Sequence, residues 1–446
     1  MRKAFLIIAV SFLVTNLSAQ KNEDKKIEEA VVKIESTTIA WRRKIHQNPE
    51  LSNREYKTAK FIAEQLRSFG IDVQEGVAKT GVIGLLKGGK PGPVVGLRAD
   101  IDALPVTERG NLPFASNVKA TFNGQEVGVM HACGHDTHIA MLLSAAKILS
   151  EMKSELAGTV KFIFQPAEEG PPSGEEGGAP LMIKEGALDN PKVDVLFGMH
   201  INAQTPVGQI KYREKGMMAA SDWFEIKIKG KQSHGAQPWL GIDPVAIGAQ
   251  IIEGLQMIVS RQTDLTKNAV VISTTIFKGG VRENIIPEES TLAGTIRTLD
   301  KEMQKEVWQR IERTAKNIAA ASGAIASVSI LSKTLVTYND PALTQQMIPS
   351  LEKAANGKAS VMDAVMGAED FSFFSDKVPS LYFYVGGMPA GVDPATTAAH
   401  HTPDFFVDES GMKTGVKAYC YLVLDYMNAK AMQTGKKKIQ KPSKQL

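Results

Sequence analysis

Apolar and polar positions along this chain follow two periods, and the changes between them mark out its elements. Residues 26–48 and 55–69 predict helices, the second closed by Gly70. Short apolar runs then alternate with helical patterns. Val94-Val95-Gly96-Leu97-Arg98 predicts a strand, as do the buried-type runs 160–164 and 195–197. Between them, residues 138–152 place Leu142, Leu143, Ala146 and Leu149 on one helical face. Strands that alternate with helices predict an α/β fold with a mostly parallel sheet covered by helices.

From residue 217 to about 330 the pattern changes. Phe224, Ile226 and Ile228 alternate with Glu225, Lys227 and Lys229, which marks a half-buried strand. A helix with an Asp-Pro start follows over 243–261. Strands are expected over 270–277 and 291–297, a long helix over 301–321, and a last strand over 325–331. The order β-α-β-β-α-β is that of a split ferredoxin-like unit. Strand and helix patterns of the first kind resume from Asp340. The expected organisation is therefore a discontinuous domain, 21–216 and 331–446, with a compact domain, 217–330, inserted into it.

Residues 1–20 stand apart from both. Arg2 and Lys3 precede a short apolar core, and Ser18 and Ala19 precede a polar segment. This is the pattern of a cleaved export signal, too short to span a bilayer comfortably, so an exported, periplasmic or secreted protein is expected. The formal net charge is only +4, with both signs mixed along the chain, which gives no footprint for nucleic acid. The basic run from Lys436 to Lys444 is expected to be a solvated end. The two cysteines are Cys133 and Cys420. A bridge is one possibility in an exported chain. Cys420 lies in an apolar helix-like run and has a core setting.

Cys133 has a different setting. His131-Ala132-Cys133-Gly134-His135-Asp136-Thr137-His138 gathers three of the chain's 8 histidines with a thiol and a carboxylate. Thiolate, imidazole and carboxylate are metal-ligand types, and Gly134 lets the backbone bend so that Cys133 and His135 face one point. Glu168-Glu169, His200 and His400-His401 each follow a strand-like run or sit in a turn. Ligands in open α/β sheets gather at the carboxyl ends of strands, so Cys133, His135, Glu169, His200 and His401 are expected to converge.

The arrangement resembles the dinuclear metallo-amidohydrolases related to aminoacylase, hippurate hydrolase and the indole-acetyl-amino-acid hydrolases. The resemblance runs from Arg42-Arg43-Lys44-Ile45-His46-Gln47-Asn48-Pro49-Glu50-Leu51 to His401-Thr402-Pro403-Asp404-Phe405. Between them stand residues 98–105, the Cys133 cluster, Gln165-Pro166-Ala167-Glu168-Glu169-Gly170, Gly198-Met199-His200, Ser233-His234-Gly235-Ala236-Gln237-Pro238 and Gly367-Ala368-Glu369-Asp370-Phe371. The resemblance implies that Cys133, His135, Glu169, His200 and His401 hold two divalent metal ions, with Glu168 as general base. It implies that the inserted domain is a lid that forms a homodimer and presents His234 to the partner's site. Asp100 stands where the wider family often has a ligand histidine, which points away from dipeptidase and carboxypeptidase branches.

The implied reaction is hydrolysis of the amide bond of N-acyl or N-aroyl amino acids by a metal-activated water. Thiolate plus imidazole favours zinc, with manganese, cobalt or nickel as alternatives. A carboxylate one residue from a ligand, Glu168, is placed to move the proton; the alternative is a solvated acidic loop. His234 is a candidate oxyanion donor. Asn284 and Arg297 are candidate substrate contacts, the arginine suiting a carboxylate; the alternatives are a turn asparagine and a solvated arginine. Asp102 and Asp136 are candidates for orienting metal-bound imidazoles. His46, His131, His138 and His400 are assigned structural or outer roles. An exopeptidase is the competing enzyme reading, and an inactive metal-binding scaffold the non-enzymatic one.

Overall fold

The computed structural model describes the backbone over residues 2–439 and side chains over residues 22–433. The expected export segment, 1–20, and the basic run beyond residue 433 lie outside the described side chains. No helix among the described residues is long and apolar enough to cross a membrane.

The chain divides into two compact units. The first is built on an eight-stranded sheet. Its spatial order is Asp72–Val77, Gly81–Lys87, Ala157–Gln165, Lys90–Asp100, Val195–Pro206, Ser380–Met388, Ile210–Tyr212 and Ala359–Val361. The four central strands, Ala157–Gln165 through Ser380–Met388, pair in parallel. The outer pairs at Asp72–Val77, Gly81–Lys87 and Ile210–Tyr212 are antiparallel, so the sheet is mixed around a parallel centre.

Helix His135–Glu151 is buried along nearly its whole length. A helix apolar on all sides belongs inside a protein. It packs against the sheet and against helices Arg2–His46 and Met412–Ile439. Cys420 lies inside this helical layer, buried and unbridged.

Ionic contacts hold helix Arg2–His46 to the first turn of helix His135–Glu151. Buried Arg42 donates to Asp136 Oδ2 at 2.7 Å, and His46 Nδ1 lies 2.8 Å from the same oxygen. Asp136 is therefore committed to this helix and not to a metal-bound imidazole, which corrects one of the two orienting roles expected above. Removing one partner from such a buried pair costs about 3–5 kcal/mol, because the other charge is left unpaired.

The second unit comprises 213–339 and 363–376. Its four-stranded sheet runs Val270–Gly279, Glu289–Thr298, Ala220–Lys229, Ile325–Thr334, all antiparallel. Helices Pro244–Met257 and Lys301–Ala321 cover one face. Both helices begin where an aspartate accepts from the first free N–H groups. Asp243 accepts from Val245 and Ala246, and Asp300 from Glu302 and Met303.

This unit is wider than 217–330 for a local reason. Lys215–Met218 pairs with Thr337–Asn339, and the N–H of Val365 bonds back to the carbonyl of Met217. Strand pairing and not hydrophobic period places the boundary, so Gly367-Ala368-Glu369-Asp370-Phe371 falls in the second unit.

Candidate metal centre

The first unit brings Cys133, His135, Glu168, Glu169, His200 and His401 together, with Glu168 and Glu169 just past the carboxyl end of strand Ala157–Gln165 and His200 within strand Val195–Pro206. Gly134 makes the first step possible. Its φ is 92°, and a Cβ there would stand 2.4 Å from Ile201 Cγ2, so only glycine fits. The turn it makes starts helix His135–Glu151 and leaves Cys133 and His135 on one side.

Donor atoms then converge on the Cys133 sulfur. His200 Nε2 and His401 Nε2 each lie 3.3 Å from it. His401 Nε2 is also 3.1 Å from Glu169 Oε1. His135 Nε2 lies 3.9 Å from both Glu169 Oε1 and Glu168 Oε2.

Neighbouring groups fix which ring nitrogen faces inward. His135 Nδ1 donates to the Asp102 carbonyl at 2.9 Å, which turns Nε2 toward the cluster. His200 Nδ1 donates to the Ile201 carbonyl at 2.5 Å and likewise leaves Nε2 facing Cys133. Asp102 Oδ2 accepts from the Glu169 N–H at 3.1 Å and from the Ser52 hydroxyl at 2.7 Å. One aspartate thus positions two donors, as outer partners of metal ligands do.

The two adjacent histidines of the 400 loop separate by their partners. His400 Nε2 accepts from the Ala203 N–H at 3.2 Å, and Nδ1 donates to the Cys133 carbonyl at 3.2 Å. Both of its nitrogens are spent on backbone, although the ring passes near the sulfur. The His401 N–H is tied to the Ala132 carbonyl at 2.8 Å, with φ at 65°, and its ring enters the cluster. His138 is also structural. Its Nε2 accepts from the Ile201 N–H at 2.7 Å, so Nδ1 carries the proton and donates to Asp100 at 2.5 Å. Arg98 holds the second oxygen of Asp100 at 2.6 Å.

The electrostatics call for a cation. His135 Nε2 is buried without a hydrogen-bond partner, a costly condition unless something else satisfies it. Burial works against a charge on His135, yet the carboxylates of Asp100, Asp102 and Glu169 outweigh it and raise the ring to about 10. Burial and the charges of Glu169, Glu168 and Asp100 push the Cys133 thiol well up. Burial and the nearby His138 and His400 rings hold His200 neutral. Sulfur, imidazole nitrogens and carboxylates gathered around the orphaned His135 Nε2 are the donor set of divalent ions of the zinc type.

A family model described as Peptidase family M20/M25/M40 matches residues 96–425. The chain belongs to this family. It is 40% identical over 410 residues to thermostable carboxypeptidase 2 of Saccharolobus solfataricus, covering 92% of this chain and 98% of that protein. It is 39% identical over 389 residues to N-acetylcysteine deacetylase of Bacillus subtilis, covering 86% and 96%. Among solved structures, it superposes on the YXEP protein of Bacillus subtilis, described as a dinuclear metal binding peptidase from the M20 family. That match has a TM-score of 0.75 and 35% identity, and covers 89% of this chain and 99% of that one. Proteins similar to this chain thus carry both carboxypeptidase and deacetylase names.

The remaining expected site residues lie in the second unit. Ser233–His234 and Ile285–Ile286 form a short ladder, and the Gly235 N–H donates to the Asn284 carbonyl at 2.8 Å. Residues fifty positions apart in the chain thus become neighbours, and both His234 and Asn284 are exposed. The Ala236 N–H donates to His234 Nδ1 at 3.0 Å, which leaves the neutral ring presenting an Nε2–H donor. Arg297 lies apart from this ladder, on strand Glu289–Thr298 of the four-stranded sheet. Its Nη1 donates to the hydroxyls of Ser221 at 2.5 Å and Thr295 at 2.6 Å.

Proposed function

We propose that the chain is a metal-dependent amidohydrolase that cleaves the amide bond of N-acyl amino acids. The observation that carries this reading is the ring of donors around His135 Nε2 and Glu169 Oε1 with Glu168 beside it. Cys133, His135, Glu169, His200 and His401 hold two divalent ions, zinc first among them. Such a pair supplies Lewis acidity that acidifies water and polarises an amide carbonyl.

The chain's own groups do the rest. Glu168 takes the proton of the attacking water and returns it to the leaving nitrogen. Its placement follows from Glu169, whose N–H is held by Asp102. His234 donates its Nε2–H to the developing oxyanion, and Asn284, whose carbonyl accepts from the N–H of Gly235 beside it, binds substrate. Arg297 is the candidate partner for the substrate carboxylate.

The second reading, an exopeptidase, is favoured by the carboxypeptidase name of one 40% identical relative. A panel of N-acetyl and N-benzoyl amino acids against dipeptides and carboxypeptidase peptides separates the two. Faster kcat/KM on the acyl amino acids is expected; faster turnover of the peptides would replace the first reading with the second.

The second unit is proposed to form a homodimer that brings His234 to the partner's metal centre. Glu168→Gln and His234→Ala chains, each inactive alone, then complement when mixed. One site of the hybrid holds its own Glu168 and an intact His234, so up to about half of a dimer's activity returns. Verified hybrids with no activity would place His234 in its own chain's site or in none.

A further inference from the structure

The segment before helix Tyr56–Ser68 is tied to the turn that carries the two glutamates. Glu55 stands at the start of this helix, but its side chain does not cap it. Glu50 does so instead, accepting from the N–H groups of Lys57 at 3.2 Å and Thr58 at 2.8 Å. Glu55 is thereby released inward and is fully buried. Its Oε1 accepts from the Ala167 N–H at 2.9 Å, and its Oε2 accepts from the buried Thr80 hydroxyl at 2.6 Å.

Ala167 has a φ of 52°. A residue with a Cβ keeps this left-handed conformation only where its surroundings impose it. Glu168 follows at once, and the next N–H, of Glu169, is held by Asp102. Buried carboxylates thus grip the two-glutamate segment from both ends. Burying a carboxylate is costly. Burial, with the Asp102 charge nearby, raises the Glu55 carboxyl to about 7. An apolar side chain of the same size would avoid that cost but leave the Ala167 N–H and the Thr80 hydroxyl without their partner, so the glutamate's place here is tied to those two bonds.

We propose that Glu55 is a positioning residue for the hydrolysis: it holds the Ala167 turn and so fixes where the Glu168 carboxylate stands, without touching substrate. The proposal rests on Glu168 being the base. A displaced base loses turnover and not binding. Small misplacements of a reacting group cost up to about 100-fold.

The test compares Glu55→Ala, Glu55→Gln and Thr80→Val in the full-length, metal-loaded enzyme. Metal content, KM, kcat and amide exchange at Ala167 in the metal-free protein are measured for each. Glu55→Ala is expected to keep its metals and its KM, to lose kcat by about 10- to 100-fold, and to exchange the Ala167 amide faster. Glu55→Gln still offers a carbonyl oxygen to that N–H and should recover most of the kcat. A folded, metal-loaded Glu55→Ala with wild-type kcat would overturn the proposal, and so would a Glu55→Gln as slow as the alanine variant. Should Glu55→Ala fail to fold, Thr80→Val decides. It frees one carboxylate oxygen only, and a lowered kcat at unchanged KM supports the proposal while wild-type kcat overturns it. Glu168→Gln is run alongside. Its retention of activity would remove the base assignment itself, whereas an inactive Glu168→Gln beside a fully active Glu55→Ala removes only the role of Glu55.

Discussion

Glu168→Gln is expected to keep both metals and the fold while losing kcat by about 10²–10⁴-fold, the usual worth of a positioned general base. The amide is nearly the same shape but cannot accept a proton. Glu168 is only partly buried, and its Oε2 lies 3.9 Å from His135 Nε2, so the change disturbs no packed core. KM should move little, because the lost interaction belongs to the transition state. Metal analysis beside steady-state kinetics checks this. A variant with normal kcat would show that another group moves the proton.

Cys133→Ser is expected to have the other large effect, and by a different route. A hydroxyl is a far poorer soft ligand than a thiolate. Losing it should weaken metal binding by more than the ~10- to 100-fold that follows loss of an outer partner. Three of the cluster's distances converge on this sulfur or on its neighbour Glu169 Oε1. Both cysteines are free, so the substitution breaks no disulfide. Turnover should fall with metal content, and excess metal should restore part of both. Full metal content with normal turnover would remove Cys133 from the ligand set.

Much of the site was legible because its residues lie where local sequence governs geometry. The Cys133-Gly134-His135 step is contained in one turn, and Gly134 is required there on both conformational and steric grounds. Glu169 and His200 follow apolar runs that pair in parallel with the same central strand, Lys90–Asp100. What stayed hidden depends on partners far away in the chain. The sequence already names His401 over His400, but the reason, His400's bonds to the backbone of Ala203 and Cys133, lies in the fold. Asp136 looked like an outer partner of the metal ligands but answers to Arg42 and His46, about ninety residues earlier. Glu55 gave no signal beyond an acidic residue at a helix start, because the turn it holds is more than a hundred residues away. The boundary of the second unit was misplaced for the same reason. Short pairings at Lys215–Met218 and Thr337–Asn339 carry no hydrophobic period.

Metal stoichiometry tests the dinuclear site most directly. Metal-free protein titrated with zinc should bind two ions per chain, and hydrolysis of an N-acyl amino acid should return as the sites fill. Wild-type turnover in the chelated protein, or saturation at a single ion with full activity, would contradict it.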